Sequence, residues 1–194
     1  MFLCFGPMVL IPGYPYYIMC FYGCLGLFFA FVQMRETNDA LFTAMLPVSK
    51  RQAVYAKCAF CAAIQLGQLV LSVPFAWMRP WLIPMGNPVG IEANVAFYGF
   101  ALMLLALFNG IFLPVFYRDA YSAGKAFLLA GVAMGAGIVL LEALIHLPGL
   151  AWLDSIQGSA LLQLPVLLAG AVVYTLGIVS AARCAASRYE QVDL

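Results

Sequence analysis

The chain has 194 residues, 65% of them hydrophobic and 9% charged, with a net charge of +1. An ordinary soluble domain carries about 25% charged residues and still exposes a large area to water, so this composition points to an integral membrane protein. The near-neutral balance provides no field that would draw in nucleic acid, and no G-x-x-x-x-G-K-[ST] phosphate loop is present.

The N-terminus, MFLCFGPMVLIPGYPYY, is apolar at once and lacks the basic n-region of a signal peptide. Phe2–Ile11 is too short to cross a bilayer, since ten residues reach only about 15 Å. The turn signal Pro12-Gly13-Tyr14-Pro15 ends it. It reads as the outer half of a first span whose inner half is missing, or as a genuine half-span. Five segments then reach the roughly 20 apolar residues a spanning helix needs: Tyr14–Met34, Ala53–Met78, Glu92–Tyr117, Ala126–Leu147 and Ser159–Ala182. The expected fold is all-α, a polytopic membrane helix bundle of five full spans plus a short N-terminal partial span, forming one transmembrane domain over 1–194.

Lysine and arginine set the orientation. With Arg35–Gln52 inside, Arg35, Lys50, Arg51, Lys57, Arg118, Lys125, Arg183 and Arg188 all fall inside and Arg79 alone outside, eight against one. Trp77, Trp81 and Trp152 then fall at the outer interface, where aromatic belts sit. This predicts a cytoplasmic C-terminus after a short tail, Arg183–Leu194.

The long polar insert RETNDALFTAMLPVSKRQAVYAKC (Arg35–Cys58) interrupts this pattern. Thr37, Asn38 and Asp39 are helix-start residues. Leu41 and Met45, and Phe42 and Leu46, are each four apart, so Ala40–Leu46 predicts a short helix with one broad apolar face. Pro47 stops it. Ser49-Lys50-Arg51-Gln52 is a capping box that starts the next helix, with Lys57 near its base and able to snorkel to the surface. Two readings stay open: a helix lying on anionic headgroups, or one docked in the groove of a cytosolic partner.

Further along, Gln65, Gln68 and Ser72 share one face of their span, and Asn94 and Asn109 lie in the next. Interhelical hydrogen bonds explain them, and so would a transport path lined by Gln65, Gln68 and Asn109. Gly131–Gly135 is a G-x-x-x-G that favours close helix approach, and Pro74, Pro114 and Pro165 fall within spans and can kink them. Glu142 and His146 are four apart and share a helix face near the outer leaflet. They read as a pair that steadies the helix, or as a proton site in the transport path or gate. With a single His, and with Cys58-x-x-Cys61 lacking a second pair, the sequence suggests no metal site; the six cysteines read as packing residues.

The run N-D-A-L-F-T-A-M-L-P-V-S-K-R-Q-A-V-Y-A-K, Asn38–Lys57, resembles the signature of small bacterial ABC-2 type transporter permeases. E-A-N-V-A-F-Y-G (Glu92–Gly99), F-Y-R-D-A-Y (Phe116–Tyr121) and the ending Y-E-Q-V-D-L fit as well. The likeness runs from about Tyr14 onward, and the short first span departs from the family, whose members carry a full one. The resemblance implies a six-span subunit of an exporter in the bacterial inner (plasma) membrane. It would work as a homo- or heterodimer with cytosolic ABC ATPases that hold the ATP and magnesium, the chain itself being neither an enzyme nor a cofactor binder. It also implies that the cytoplasmic segment 35–52 is the coupling element. Asn38, Asp39, Leu41, Phe42, Met45, Leu46, Pro47, Ser49, Lys50 and Arg51 would face the ATPase, Lys50 and Arg51 pairing with its acidic residues or with membrane lipid. Pro148–Gly158 would be an outer gate of short helices, or else an ordinary loop with an interfacial Trp. A secondary carrier or channel without an ATPase is the alternative.

Overall fold

The computed structural model describes residues 2–83, 87, 89–118, 122–145, 147, 150–154 and 160–191, with the side chains of 2–4, 40, 41, 44, 145 and 151 left out. A 3-10 helix over Phe2–Leu10 is followed by α1 (Tyr17–Glu36), α2 (Asp39–Ala44), α3 (Lys50–Leu82), α4 (Val95–Arg118) and α5 (Ala123–Ile145). A single 3-10 turn, Ala151–Leu153, precedes α6 (Ala160–Glu190). All but α2 among the α-helices are long and apolar enough to cross a membrane, so the bundle has the expected five spans. The N-terminal 3-10 helix packs on α3 and α1. Its Gly6 lies so near α3 that a Cβ there would sit 3.2 Å from the Leu71 carbonyl oxygen.

The central post is α4. Fifteen of its 24 residues are buried, more than in any other span, so the remaining helices wrap it rather than one another. One side carries a ladder of rings, Phe108, Phe112 and Phe116, and Phe31 of α1 packs edge-on against the last two at 5.1 and 4.8 Å. Phe127 of α5 meets Phe108 at 6.0 Å. The other side of α4 is lined by small residues, and α6 lies directly on it in the most extensive helix contact of the fold. A Cβ on Gly99 would fall 2.5 Å from the Val166 carbonyl oxygen, and one on Gly177 would fall 3.0 Å from the Cβ of Ala106. In a membrane the gain on association comes from such close packing, because lipid is as apolar as the side chains it replaces.

Two expectations change here. The close helix approach is made by Gly99 and Gly170 on different helices and not by the G-x-x-x-G motif: Gly135 has nothing within 4 Å, and Gly131 only touches the Phe21 ring at 3.6 Å. Among the described residues of this chain, no helix lies close on the motif. Nor does the last helix end at Ala182. It runs on to Glu190, because Ala181, Ala185 and Ala186 continue the small buried stripe and the Tyr189 ring packs at a tilt against Tyr117, 5.3 Å between centroids.

Neighbouring spans run in opposite directions, so the basic residues other than Arg79 gather at one end of the bundle and Trp77, Trp81 and Trp152 at the other. At the basic end Arg51 makes a two-pronged pair with Glu190 (2.6 and 2.8 Å), and Arg188 donates to the carbonyl of Pro114 (2.9 Å). Arg51 ties the foot of α3 to the end of α6, a contact that the sequence reading did not foresee. Both side chains are largely exposed, which makes the pair salt-sensitive. Arg51→Glu should speed backbone hydrogen exchange over 183–190 at low salt, and adding Glu190→Arg should restore protection. Equal exchange in parent and single variant would mean that the pair does not hold the helix end.

Candidate functional site

Polar side chains collect at three levels of the bundle. At the basic end, Thr37 closes α1 by donating from Oγ1 to the carbonyl of Gln33 (3.0 Å), so it ends a helix rather than starting one. Asn38 takes the left-handed conformation (φ 53°), which breaks the chain direction between α1 and α2. It makes no side-chain capping bond, and Asp39 spends its carboxylate on Lys57. That ion pair corrects the expectation that Lys57 reaches the surface: it is the tether between α2 and the foot of α3. The capping box at Ser49 and Gln52 is present as expected, with Ser49 N–H donating to Gln52 Oε1 (2.9 Å) and Gln52 N–H to Ser49 Oγ (3.2 Å).

The short helix α2 ends at Ala44, two residues before its pattern suggests, with Met45 and Leu46 in the turn that leads to Pro47. Phe42 is 60% exposed and Met45 77%, and Leu46 and Val48 are exposed as well. The Leu41 side chain lies outside the described residues. A recess of about 590 Å³ lies between this segment and α3, lined by Thr43, Val48, Gln52, Lys57 and Phe60. Among the described side chains of the segment, Phe42, Met45, Leu46 and Val48 are uncovered, and the Asp39–Lys57 pair ties it to α3. Lys50 leans over the Tyr189 ring at 5.7 Å.

At mid-bundle, Gln65 of α3 and Asn109 of α4 exchange two amide hydrogen bonds, Gln65 Nε2 to Asn109 Oδ1 (3.0 Å) and Asn109 Nδ2 to Gln65 Oε1 (2.7 Å). Tyr174 of α6 donates its hydroxyl to the same Gln65 oxygen (2.9 Å). Three helices are pinned by this node. Gln68 donates to the Met19 carbonyl of α1 (2.7 Å), and Gly23 leaves room for its amide, since a Cβ there would lie 2.9 Å from the amide carbon. Ser72 bonds Tyr98 (3.0 Å). All of these side chains except Tyr98 are buried at 4% exposure or less, and their hydrogen bonds go to neighbouring helices. Gln65→Leu should cost about 1–2 kcal/mol by leaving Asn109 and Tyr174 unpaired, and the double change with Asn109→Leu should cost less than either single change. Unfolding in detergent checks this; additive losses would dissolve the node.

At the tryptophan end the sequence reading missed most of the arrangement. Arg79, expected as a lone outer cation, is 1% exposed and forms an ion pair through Nη1 with Glu92. Its guanidinium lies over the Tyr16 ring, 4.9 Å from the centroid. The other Glu92 oxygen accepts the Asn87 N–H. Burial pushes the Glu92 carboxyl above the usual carboxylate range, against the pull of Arg79 and that N–H. Around this pair, Asp154 accepts the Glu92 N–H (2.8 Å), Glu142 accepts the Ile91 N–H (3.1 Å), and Asn94 and Gln163 donate to the Leu153 carbonyl (2.7 and 3.3 Å). Glu142 thus holds the segment before α4; His146 lies outside the described residues. Of Pro148–Gly158, the described part is a 3-10 turn with Leu153 buried and pinned by these bonds. The signal that could have found this knot is the mismatch of one cation with three acids on that side.

The described residues hold no group of three or more His, Cys, Asp or Glu able to take a metal, and Cys20, Cys24, Cys58 and Cys61 are buried free thiols. A family model described as ABC-2 family transporter protein matches residues 1–186. The chain belongs to the ABC-2 transporter family. The match includes the N-terminal 3-10 helix, so that short segment is part of the ABC-2 domain here and not an appendage to it. Neither the curated proteins nor the solved structures give a match. As an ABC-2 permease the chain is a multi-pass membrane subunit of an ABC transporter, and its work is translocation.

Proposed function

We propose that this permease is the membrane half of an ATP-driven exporter in the cell membrane, with its basic end and C-terminus in the cytoplasm. The observation that carries the reading is the tethered segment Asn38–Gln52: an uncovered apolar surface of Phe42, Met45 and Leu46, near Lys50 and joined to α3 by Asp39–Lys57. Passive headgroup binding needs no tether to a spanning helix. A coupling element does, because motion must pass from the docked helix into the bundle. A cytosolic ATPase of the transporter takes the apolar face in a groove, the helix-in-groove mode. It supplies ATP and magnesium, and a second permease chain, identical or related, completes the pair. The distribution of Lys and Arg supports the orientation.

The carrier alternative rested on Glu142 and His146 as a proton site. Glu142 accepts a backbone N–H from Ile91, which favours a structural role for it. The test is co-purification in mild detergent with cytosolic proteins. An ATP-binding-cassette ATPase recovered with the parent and lost from Phe42→Asp supports both class and docking site. Equal recovery with both moves the contact elsewhere. Recovery with neither, from folded protein, returns the reading to a carrier with Asn38–Gln52 lying on headgroups.

A further inference from the structure

Between α3, α4 and α6, at the tryptophan end, a cleft of about 560 Å³ opens on the side of the bundle. Its outer wall is a stripe on α3, Leu66, Val70, Val73 and Trp77, all exposed at span depth. Their spacing of four, three and four residues keeps them on one face over roughly 16 Å of helix. The inner wall is Leu102 and Leu167 of α4 and α6. At the head of the cleft sits Arg79. Among the described residues of its lining, Glu92 is the only other charged one, so the local charges balance and hydrogen bonding decides what fits.

The donors and acceptors there are unequally spent. Both Glu92 oxygens are used, one by Arg79 and one by the Asn87 N–H. Asp154 and Glu142 turn to backbone N–H groups and do not line the cleft. Arg79 keeps two N–H groups, on Nε and Nη2, with no acceptor among the described residues, although the side chain is 2% exposed. A buried guanidinium rarely leaves donors unmatched, since each such group costs the desolvation it suffered. Both atoms are closed off from solvent, so a ligand that brings acceptor oxygens must part the head of the cleft to reach them, and it relieves that cost when it does.

Depth identifies the ligand. Trp77 and Trp81 flank Arg79 at interface level, where lipid headgroups lie, and the apolar stripe runs from there toward the Gln65 node at mid-bundle. That is the register of one lipid in one leaflet, headgroup at Arg79 and acyl chain along α3. We propose that this cleft is a binding site for a lipid-like amphiphile with a phosphate-bearing headgroup, held by the free Nε and Nη2 donors of Arg79. The site stands whether or not the chain couples to an ATPase, and it lies at the opposite end from Asn38–Gln52.

The test is native mass spectrometry of the full chain released from detergent with phosphatidylglycerol or with diacylglycerol of the same chains, which lacks the phosphate. Three variants are compared: Val70→Trp, which fills the cleft from an exposed position without touching the ion pair; the double change Arg79→Met with Glu92→Gln, which leaves no lone buried charge; and Leu140→Trp on α5 as a lipid-facing control. One phosphatidylglycerol should survive activation that strips diacylglycerol, and both cleft variants should reduce its retention about tenfold or more while the control does not. Val70→Trp, folded by circular dichroism, keeps the test valid even if the double variant fails to fold. Equal retention of the two lipids, or unchanged retention in Val70→Trp, would overturn the site. Displacement by glycerol 3-phosphate at concentrations equal to the lipid's would overturn the lipid and leave a soluble phosphate as occupant.

Discussion

Replacing Phe42 by aspartate should abolish ATP-driven transport while leaving the chain inserted and folded. Insertion is decided by the five apolar spans, and α2 is not one of them. Folding is insulated too. Phe42 is 60% exposed, so aspartate there buries no charge, and the Asp39–Lys57 tether and the capping box at Ser49 do not involve it. What the change removes is the largest described apolar group that the segment offers to a partner groove. Aromatic anchors of that kind cost about 2 kcal/mol or more when lost, which is roughly a 30-fold weaker complex. The measurement is ATPase stimulation and substrate flux in proteoliposomes with the ATPase titrated. Parent-like flux at limiting ATPase would remove Phe42 from the interface. Asp39→Ala gives the companion result: the docking face survives, but the link from α2 to α3 is cut. Binding should persist while flux per ATP hydrolysed falls. A fall in binding equal to that of Phe42→Asp would mean that the tether only shapes the face.

The sequence made the spans legible because their signal is length and apolarity, which tertiary contacts do not alter. The capping box was legible because it is local: its donors and acceptors lie within four residues. The rest depended on partners far away in the chain. Arg79 looked like a surface cation until Glu92 was placed against it across the turn that follows α3, and Glu142 and Asp154 join that knot from 51 and 62 residues beyond their bonding partners. Arg51 and Glu190 are 139 residues apart, so the sequence showed two solvent charges where the fold makes a strap. Thr37 and Asp39 have helix-start chemistry, yet a left-handed Asn38 between them gives the first to the preceding helix and the second to Lys57. Glycine misled for a similar reason. A G-x-x-x-G shows that one helix has a flat strip, but not that a neighbour lies on it.

The same argument gives the second large expected effect, at Gly170. A Cβ there would lie 2.8 Å from both the Cα and the carbonyl carbon of Gly99, and closer still to its oxygen. The atoms in the way belong to a helix backbone, which has no rotamer to change, so the helices must part. Gly170→Val should cost at least ~3 kcal/mol, the upper range for overpacking. Gly135→Ala is the control: nothing lies within 4 Å, and alanine should be neutral or add up to about 1 kcal/mol through helix propensity. Gly177→Ala should fall between, since its Cβ would meet the Ala106 methyl at 3.0 Å. Thermal unfolding in detergent ranks the three, and a parent-like Gly170→Val would deny the backbone contact. The consequence reaches beyond stability. If α4 and α6 touch backbone to backbone, they shift as one body, and the Arg51–Glu190 strap joins that body to the foot of α3, where the Asp39–Lys57 tether arrives. A push on α2 then has a path to the far end of the bundle, one that weakens with salt at the exposed Arg51–Glu190 link. Prying α4 from α6 with a valine should break that path even in molecules that stay folded, so the surviving fraction of Gly170→Val should bind ATPase normally and transport poorly.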